Sequence, residues 1–366
     1  MYSQDRKKKL KLAINFLINS IDSKGGSRAF YSRLYHPLKG WSNMYPETTG
    51  YIIPTLINIG KIFNRQDTID KAMLMANWLL SIQNKDGSFN SGLYNKRVNK
   101  KSIFNSAQII IGLVNAYNFT KEEKYLNAAI RCGQWIVGSQ NKQNGMWDKY
   151  NYVDNFTPSY YTRVSWPLLM VWDITNDEKL KSAARLTLDT IYKKKIENGF
   201  IKDSGFQPNS IIFTHTIAYT IRGFYESAQI LNDKKYEDIA VNLSEKFLKK
   251  YELNSFMPGA FTASFKGVDS FECLTGHAQL AIMWLKIHKK FDDLRYLNAS
   301  LKILDRVSLL IPSYTFIKRK GGVPGSYPFW GKYMIFRQPN WATKFFIDAI
   351  LLENESLKSL KRSLSE

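Results

Sequence analysis

The sequence is poor in the residues that mark several protein classes. It holds 2 cysteines, Cys132 and Cys273, and 4 histidines in 366 residues. Two cysteines cannot staple a disulfide scaffold, and their scarcity fits a reducing compartment. Acidic residues are also few: 31 Asp and Glu stand against 52 Lys and Arg, a net charge of +21. Long apolar runs are missing. Stretches such as Trp166 to Trp172 and Ile109 to Val114 fall far short of the roughly 18 residues a bilayer span needs. There is no Gly-rich phosphate loop, no Gly-x-Ser-x-Gly elbow and no His-Glu-x-x-His pair. The basic surplus is spread along the chain, as at Lys7–Lys9, Lys100–Lys101, Lys193–Lys195 and Lys289–Lys290. With no zinc-finger spacing, RNP-type motif or basic tail, a nucleic-acid partner is not expected, while an anionic sugar stays open.

What is present points to a globular chain. Apolar residues make up 44% and aromatics 14%, enough for a large core. The basic N-terminus precedes apolar residues, as in a signal peptide. However, Lys11, Asn15 and Asn19 share one helix face and Leu10, Ala13, Leu17 and Ile21 another, so an amphipathic helix near 5–22 is predicted instead. A cytoplasmic protein without a membrane segment is expected.

Periodicity organises the rest. Segments of helical pattern come in pairs, the first apolar on several faces and the second amphipathic. The first members are marked by Thr48, Asn105, Thr162, Thr214, Leu274 and Trp341, which are 57, 57, 52, 60 and 67 residues apart. The second members fall near 68–84, 125–141, 178–194, 236–251 and 296–311. The sixth first member has no partner after it, and the N-terminal helix has none before it. Apolar-all-round helices are buried and one-sided helices face water. The pattern therefore predicts an all-α, (α/α)6 toroid. It is read as one domain over 1–366, with the N-terminal helix closing the ring against the last inner helix. An open solenoid is the other arrangement of such pairs. First-to-second links are short, and Thr120-x-x-Glu123 and Thr175-x-x-Glu178 match capping boxes. Second-to-first links are long and carry glycine beside aromatics, as in Asp86-Gly87-Ser88-Phe89.

In such a ring the long loops gather at one end and lead into the inner-helix starts. Those starts are polar. Glu47 and Tyr51 share a helix face, as do His215 and Tyr219, being four apart. Asn105, Arg163, the group Glu272, Cys273 and His277, and the pair Asn340 and Trp341 mark the other four starts. Ionisable groups on apolar helices are costly unless paired or functional. Glu47, Glu272, His215, Tyr219 and His277 are therefore the catalytic candidates. Tyr51, Asn105, Arg163, Trp330, Tyr333, Asn340 and Trp341 are the substrate-binding candidates. Each has a structural reading beside it: Glu47 as a helix-start acid, the histidines as core residues, Arg163 as an ion-pair partner. Trp330, Tyr333 and Trp147 are candidates for a sugar-stacking platform. Cys273 and His277 have zinc-ligand spacing, but no local residues complete a site, so no metal or cofactor is expected.

Gln83-Asn84-Lys85-Asp86-Gly87-Ser88-Phe89 resembles the repeat signature of the prenyltransferase and squalene-oxidase repeat family, and Gln140 through Trp147 is a weaker copy. Together with Pro46–Tyr51, His215–Tyr219, Cys273–His277, the loop from Gly325 to Tyr333 and Pro339-Asn340-Trp341, nearly the whole chain is similar to repeat proteins of bacterial surface-polysaccharide gene clusters. The resemblance implies an (α/α) toroid and a role in capsule, O-antigen or exopolysaccharide production. Isoprenoid chemistry is not implied. The Asp-x-Asp-Asp and Asp-Asp-x-x-Asp motifs of terpene cyclases are absent, since Asp292-Asp293-Leu294-Arg295-Tyr296 lacks the last acid. The Asp-x-Cys element of protein prenyltransferases is absent too. The expected partner is an oligo- or polysaccharide, anionic in one reading. The leading expectation is a glycoside hydrolase using Glu47 and Glu272, with Asp269 as substitute for the latter. A uronate lyase or sugar epimerase using His215, His277 and Tyr219, with Arg163 on a carboxylate, is the second. A glycan-binding assembly protein is the third. The oligomeric state is not legible.

Overall fold

The structure, a computed structural model, describes residues 4–97, 100–313 and 320–363. Among these residues twelve α-helices follow in chain order: α1 (Gln4–Asn19), α2 (Pro46–Phe63), α3 (Gln66–Ile82), α4 (Ile103–Thr120), α5 (Glu123–Gly138), α6 (Thr162–Thr175), α7 (Glu178–Tyr192), α8 (Thr214–Leu231), α9 (Lys234–Asn254), α10 (Leu274–Phe291), α11 (Leu294–Leu310) and α12 (Asn340–Ser363). The even-numbered helices form the inner ring. Each packs on the next, and α12 returns to α2 to close it. The odd-numbered helices form the outer ring, and α1 packs against α12 as the pairing predicts. The division follows burial. In α10 every residue from Leu274 to Leu285 is buried, whereas α5 buries only the stripe Tyr125, Leu126, Ala128, Ala129, Cys132, Gly133 and Ile136. Among the described residues no helix is long and apolar enough to cross a membrane. The (α/α)6 toroid is thus the observed fold.

Inner helices end alike. Asn64, Lys121, Asn176, Asn232 and Asp292 take left-handed backbone (φ between 49° and 63°) and turn the chain at once into the outer helix. Such a C-terminal residue satisfies an orphan carbonyl in the last turn. The two predicted capping boxes do not form. Thr120 and Thr175 belong to the inner helices and donate to Ala116 O and Val171 O, each at 2.9 Å. The N-cap of α7 is Asp177, which accepts from Lys179 N at 3.0 Å.

The long loops are fastened by a repeated device. Gln83 Nε2 donates to Gly87 O at 3.0 Å and to Ala128 O of α5 at 2.9 Å. Gln140 Nε2 repeats this with Gly145 O at 3.1 Å and Ala183 O of α7 at 3.0 Å. Gly87 sits at φ +91° so close to α5 that a Cβ would lie 2.4 Å from Arg131 O. Gly321, at φ +89°, makes the same approach to Leu12 O of α1 and so belongs to the seam. The Gln-to-Phe signature is therefore a packing element in this fold.

Among the described residues seven two-residue strands tie the loops: β1 (Phe30–Tyr31) pairs with β7 (Gln338–Pro339), β2 (Ile212–Phe213) with β3 (Ala260–Phe261), β3 with β4 (Gly267–Val268), and β5 (Glu272–Cys273) with β6 (Ser326–Tyr327), all antiparallel. Asn340 finishes the seam. Its Nδ2 donates to Ser27 Oγ at 2.7 Å, Arg28 O at 2.9 Å and Thr48 Oγ1 at 3.0 Å. This expected substrate ligand is placed as a clamp between the last inner helix and the first.

Candidate active site

A helix in a closed ring shows one stripe to the centre, at spacings of three and four. On α8 that stripe is His215, Tyr219, Arg222 and Glu226; on α2 it is Glu47, Tyr51, Thr55 and Asn58. α2 and α8 are the first and fourth of six inner helices, so Glu47 and His215 face each other from opposite sides.

Glu47 is buried at 7% exposure. Tyr45 Oη donates to its Oε2 at 2.5 Å. Asn105, with its amide nitrogen turned to the carboxylate, donates to the same oxygen at 2.9 Å and accepts from Gly92 N at 3.2 Å. Burial pushes the Glu47 carboxyl up to about 7, against the Tyr45 hydrogen bond and the Arg163 charge, which pull it down. Glu47 therefore exchanges a proton near neutrality. Burial holds the phenols of Tyr45, Tyr51 and Tyr219 above their ordinary range, so they remain proton donors.

His215 behaves in the opposite sense. Its Nδ1 lies 2.9 Å from Gln279 Oε1. A carbonyl oxygen only accepts, so Nδ1 carries the proton and Nε2 keeps its lone pair. Burial, reinforced by Arg163, drives the imidazole down to about 3, against the Gln279 hydrogen bond. It stays neutral, with Nε2 free to accept a hydrogen bond. Its ring lies 4.3 Å from Tyr219 and 5.2 Å from Tyr333.

The remaining members complete a circuit. The Tyr51 and Tyr219 hydroxyls interact. Trp341 Nε1 donates to Tyr333 Oη at 2.9 Å, and the Trp341 ring lies 6.2 Å from Tyr45. Contacts thus run from Glu47 through Tyr45, Trp341 and Tyr333 to His215, and back through Tyr219 and Tyr51. Beneath them Arg163, 1% exposed, stacks 4.2 Å over the Tyr219 ring. Its Nε donates to Gln108 Oε1 at 3.0 Å, and Gln108 Nε2 donates to Arg163 O at 3.0 Å. Among the described residues Arg163 Nη1 has no hydrogen-bond partner.

The structure assembles Glu47, Tyr51, Asn105, Arg163, His215, Tyr219, Tyr333 and Trp341, and leaves four other candidates elsewhere. Glu272 lies outside the circuit, gripped by Arg306 of α11 through Nη2 to Oε1 at 2.6 Å and through Nε at 3.2 Å. Its position in β5, ahead of the helix, turns it outward. His277 is three residues into α10, on the face away from the centre; its Nε2 meets Met257 O at 3.2 Å and its Nδ1 lies 3.9 Å from Glu272. Thr275 and Gln279 take the inward positions. Trp330 is 66% exposed, and Trp147 is buried with its Nε1 donating to Ile136 O at 3.0 Å, so Trp147 takes no part in a platform. Asp269 is exposed. Among the described residues the circuit holds one carboxylate, and no three His, Cys, Asp or Glu side chains gather as metal ligands. Tyr45 and Gln279 were not among the candidates. A polar residue inside the apolar α10 pattern was the available signal for Gln279.

Comparison with solved structures agrees with the architecture. The chain is similar to an unsaturated glucuronyl hydrolase specific for heparin, with TM-score 0.75, 16% identity and coverage of 97% of this chain and 98% of that one. It is also similar to cellobiose 2-epimerase from Bacillus thermoamylovorans, with TM-score 0.74, 13% identity and coverage of 95% and 98%. The cellobiose 2-epimerase of Spirochaeta thermophila gives TM-score 0.74, 12% identity and coverage of 98% and 97%. At these identities the likeness establishes the toroid. No family model matches the chain, and no curated protein matches it in sequence.

Proposed function

We propose that this protein is a carbohydrate-active enzyme that moves a proton at a sugar carbon, by elimination or epimerisation, on saccharide units of a bacterial surface polysaccharide. The observation that carries the reading is the pair Glu47 and His215. They face each other across the ring, one pushed up to about 7 and the other down to about 3. Two titratable groups driven apart by their surroundings are what acid–base assignment requires. Glu47, poised near neutrality, takes and returns the proton, the neutral His215 accepts a hydrogen bond at Nε2, and the Tyr219 and Tyr51 hydroxyls supply hydrogen bonds to charge developing on oxygen. Arg163 favours an anionic substrate such as a uronate. A hydrolase with two carboxylates needs a second acid across the scissile bond, and Glu272 is held by Arg306 instead. The neighbours named as a glucuronyl hydrolase and sugar epimerases support a saccharide substrate.

The test is incubation with surface polysaccharide and its repeat-unit oligosaccharides, uronate-bearing ones included, in deuterated water, read by NMR and mass spectrometry. A new double bond, or deuterium at one ring carbon with unchanged length, is expected. Glu47→Gln and His215→Gln should each lower turnover by about 10²-fold to 10⁴-fold while binding persists. New reducing ends without carbon-bound deuterium would move the assignment to hydrolysis. Binding with no product would leave a glycan-binding assembly protein.

A further inference from the structure

The inner stripes continue below Arg163 into a chamber. Its lining comes from the lower parts of the inner helices, at the end of the ring opposite the long loops. The chamber has a volume of about 470 Å³, within the size range of small-molecule sites. Arg163 and Tyr51 line it and also belong to the circuit above, so they form its end nearest the circuit.

The chamber is strongly and unevenly charged. Lys61, Arg163, Arg222, Lys286 and Lys344 line it, against Glu226, Asp348 and Glu355, two more cations than carboxylates. The inner acids are already engaged. Glu226 accepts from Arg222 Nε and lies 3.1 Å from Lys286 Nζ. Asp348 accepts from Lys344 Nζ at 2.5 Å and from Thr55 Oγ1 at 2.7 Å. What remains is a net positive charge, buried at Arg163 and Lys344 and open to solvent at the rim, where Lys61 and Glu355 are exposed. Arg163 Nη1 is buried and has no hydrogen-bond partner among the described residues. Burial pushes Lys344 down to about 8, and the neighbouring Arg222 and Arg163 charges add to that push. Cations that repel one another in a low-dielectric cavity favour an anion among them. A surplus of two matches a dianion.

We propose that this lower chamber binds the phosphate group of a small molecule. Arg222, Lys286 and Lys344 supply charge, and Arg163 supplies the free N–H from the end nearest the circuit. The site shares Arg163 and Tyr51 with the acid–base circuit, but Arg222, Lys286 and Lys344 lie outside it, and the proposal does not rest on the function proposed for the circuit. A phosphate can arrive free or on a phosphorylated sugar, and the two are separable by titration.

The experiment is calorimetry at low salt with three probes: inorganic phosphate, glucose 1-phosphate and glucose. One saturable phosphate site per chain is expected, with glucose silent. Lys286→Gln and Lys344→Met should each weaken it by about tenfold or more. Glu47→Gln should leave the phosphate affinity unchanged, which separates this site from the one above. Glucose 1-phosphate binding tighter than phosphate by about tenfold identifies a phosphorylated sugar; equal affinity identifies free phosphate. Lys286 lies at the chamber's edge, so its variant keeps the test valid if Lys344→Met fails to fold. No saturable binding of either anion by about 10 mM would overturn the proposal. So would unaltered binding in both folded variants, which would place the anion on the basic outer surface.

Discussion

The protonation of Glu47 has a consequence for stability that needs no substrate. An ordinary glutamate titrates at 4.5, and in the folded protein Glu47 is pushed up to about 7. Between those values the unfolded chain has lost the proton and the folded protein still holds it. The folded state binds more protons, so stability falls as pH rises through this window. Each pH unit is worth about 1.4 kcal/mol, which makes the whole window worth about 3 kcal/mol. The contribution is fully present below 4.5 and lost above 7. Glu47→Gln keeps the side chain uncharged at every pH and so abolishes that loss. Both donors, Tyr45 and Asn105, converge on one carboxylate oxygen, which a glutamine carbonyl can replace. The variant should therefore match the native chain near pH 4.5 and exceed it by about 3 kcal/mol at pH 8. Urea unfolding of both proteins at pH 5, 6, 7 and 8 measures the difference directly. Parallel curves across the window would show that Glu47 titrates normally, and the acid role given to it would fall with that result.

Other substitutions test the scaffold and the residues set aside. Glu272→Gln should cost about 1–2 kcal/mol in unfolding, because Arg306 is half exposed and recovers water, while turnover per folded molecule stays at the native level. Gly87→Ala and Gly92→Ala separate strain from collision. Both sit at positive φ, yet only at Gly87 would the new methyl meet backbone, at 2.4 Å from Arg131 O. Gly92→Ala should cost about 1 kcal/mol and Gly87→Ala at least about 2 kcal/mol more, read from denaturant midpoints. Asn340→Ala removes three hydrogen bonds across the seam and should cost about 2–3 kcal/mol in the same assay.

Most of the ring was readable because its signal is one of period. The apolar spacing located all twelve helices, and the unpaired segments at the two ends of the chain implied closure. Phase was harder. On α8 the polar residues His215 and Tyr219 stand four apart and mark the inward stripe. On α10 every early position is buried, so hydrophobicity alone does not say which residue faces the centre. His277 was the conspicuous polar residue, yet the inward positions are Thr275 and Gln279. The register was recoverable by aligning helix starts: Thr214 and Leu274 each open a helix, which makes Thr275 the counterpart of His215. Glu272 and Trp330 were not readable in this way. Their placement depends on loops paired across long sequence distances, such as β5 with β6, and on an ion pair with an outer helix.

The same geometry explains why stability and chemistry occupy different residues. The ring is held by groups that look outward or along the seam: Gln83 and Gln140 on the neighbouring outer helices, Gly87 and Gly321 against helix backbones, Asn340 between the last inner helix and the first. None of these needs the central stripe. The stripe can therefore carry groups that a packed core would reject, among them Glu47, Arg163, Arg222, Glu226 and Lys344. Desolvation makes each costly, and the cost is tolerated because the outer ring supplies the burial. It also explains the order along the axis. Near the loops a single carboxylate is hydrogen-bonded by neutral donors and titrates near neutrality. Past Arg163 the charges are paired and predominantly positive. Arg163 stands between these regions, clamped by Gln108 and stacked on Tyr219. It pulls Glu47 down and pushes Lys344 down at once. Replacing it with a neutral side chain should thus raise both groups, a change of common sign that two separate local rearrangements would have no reason to produce.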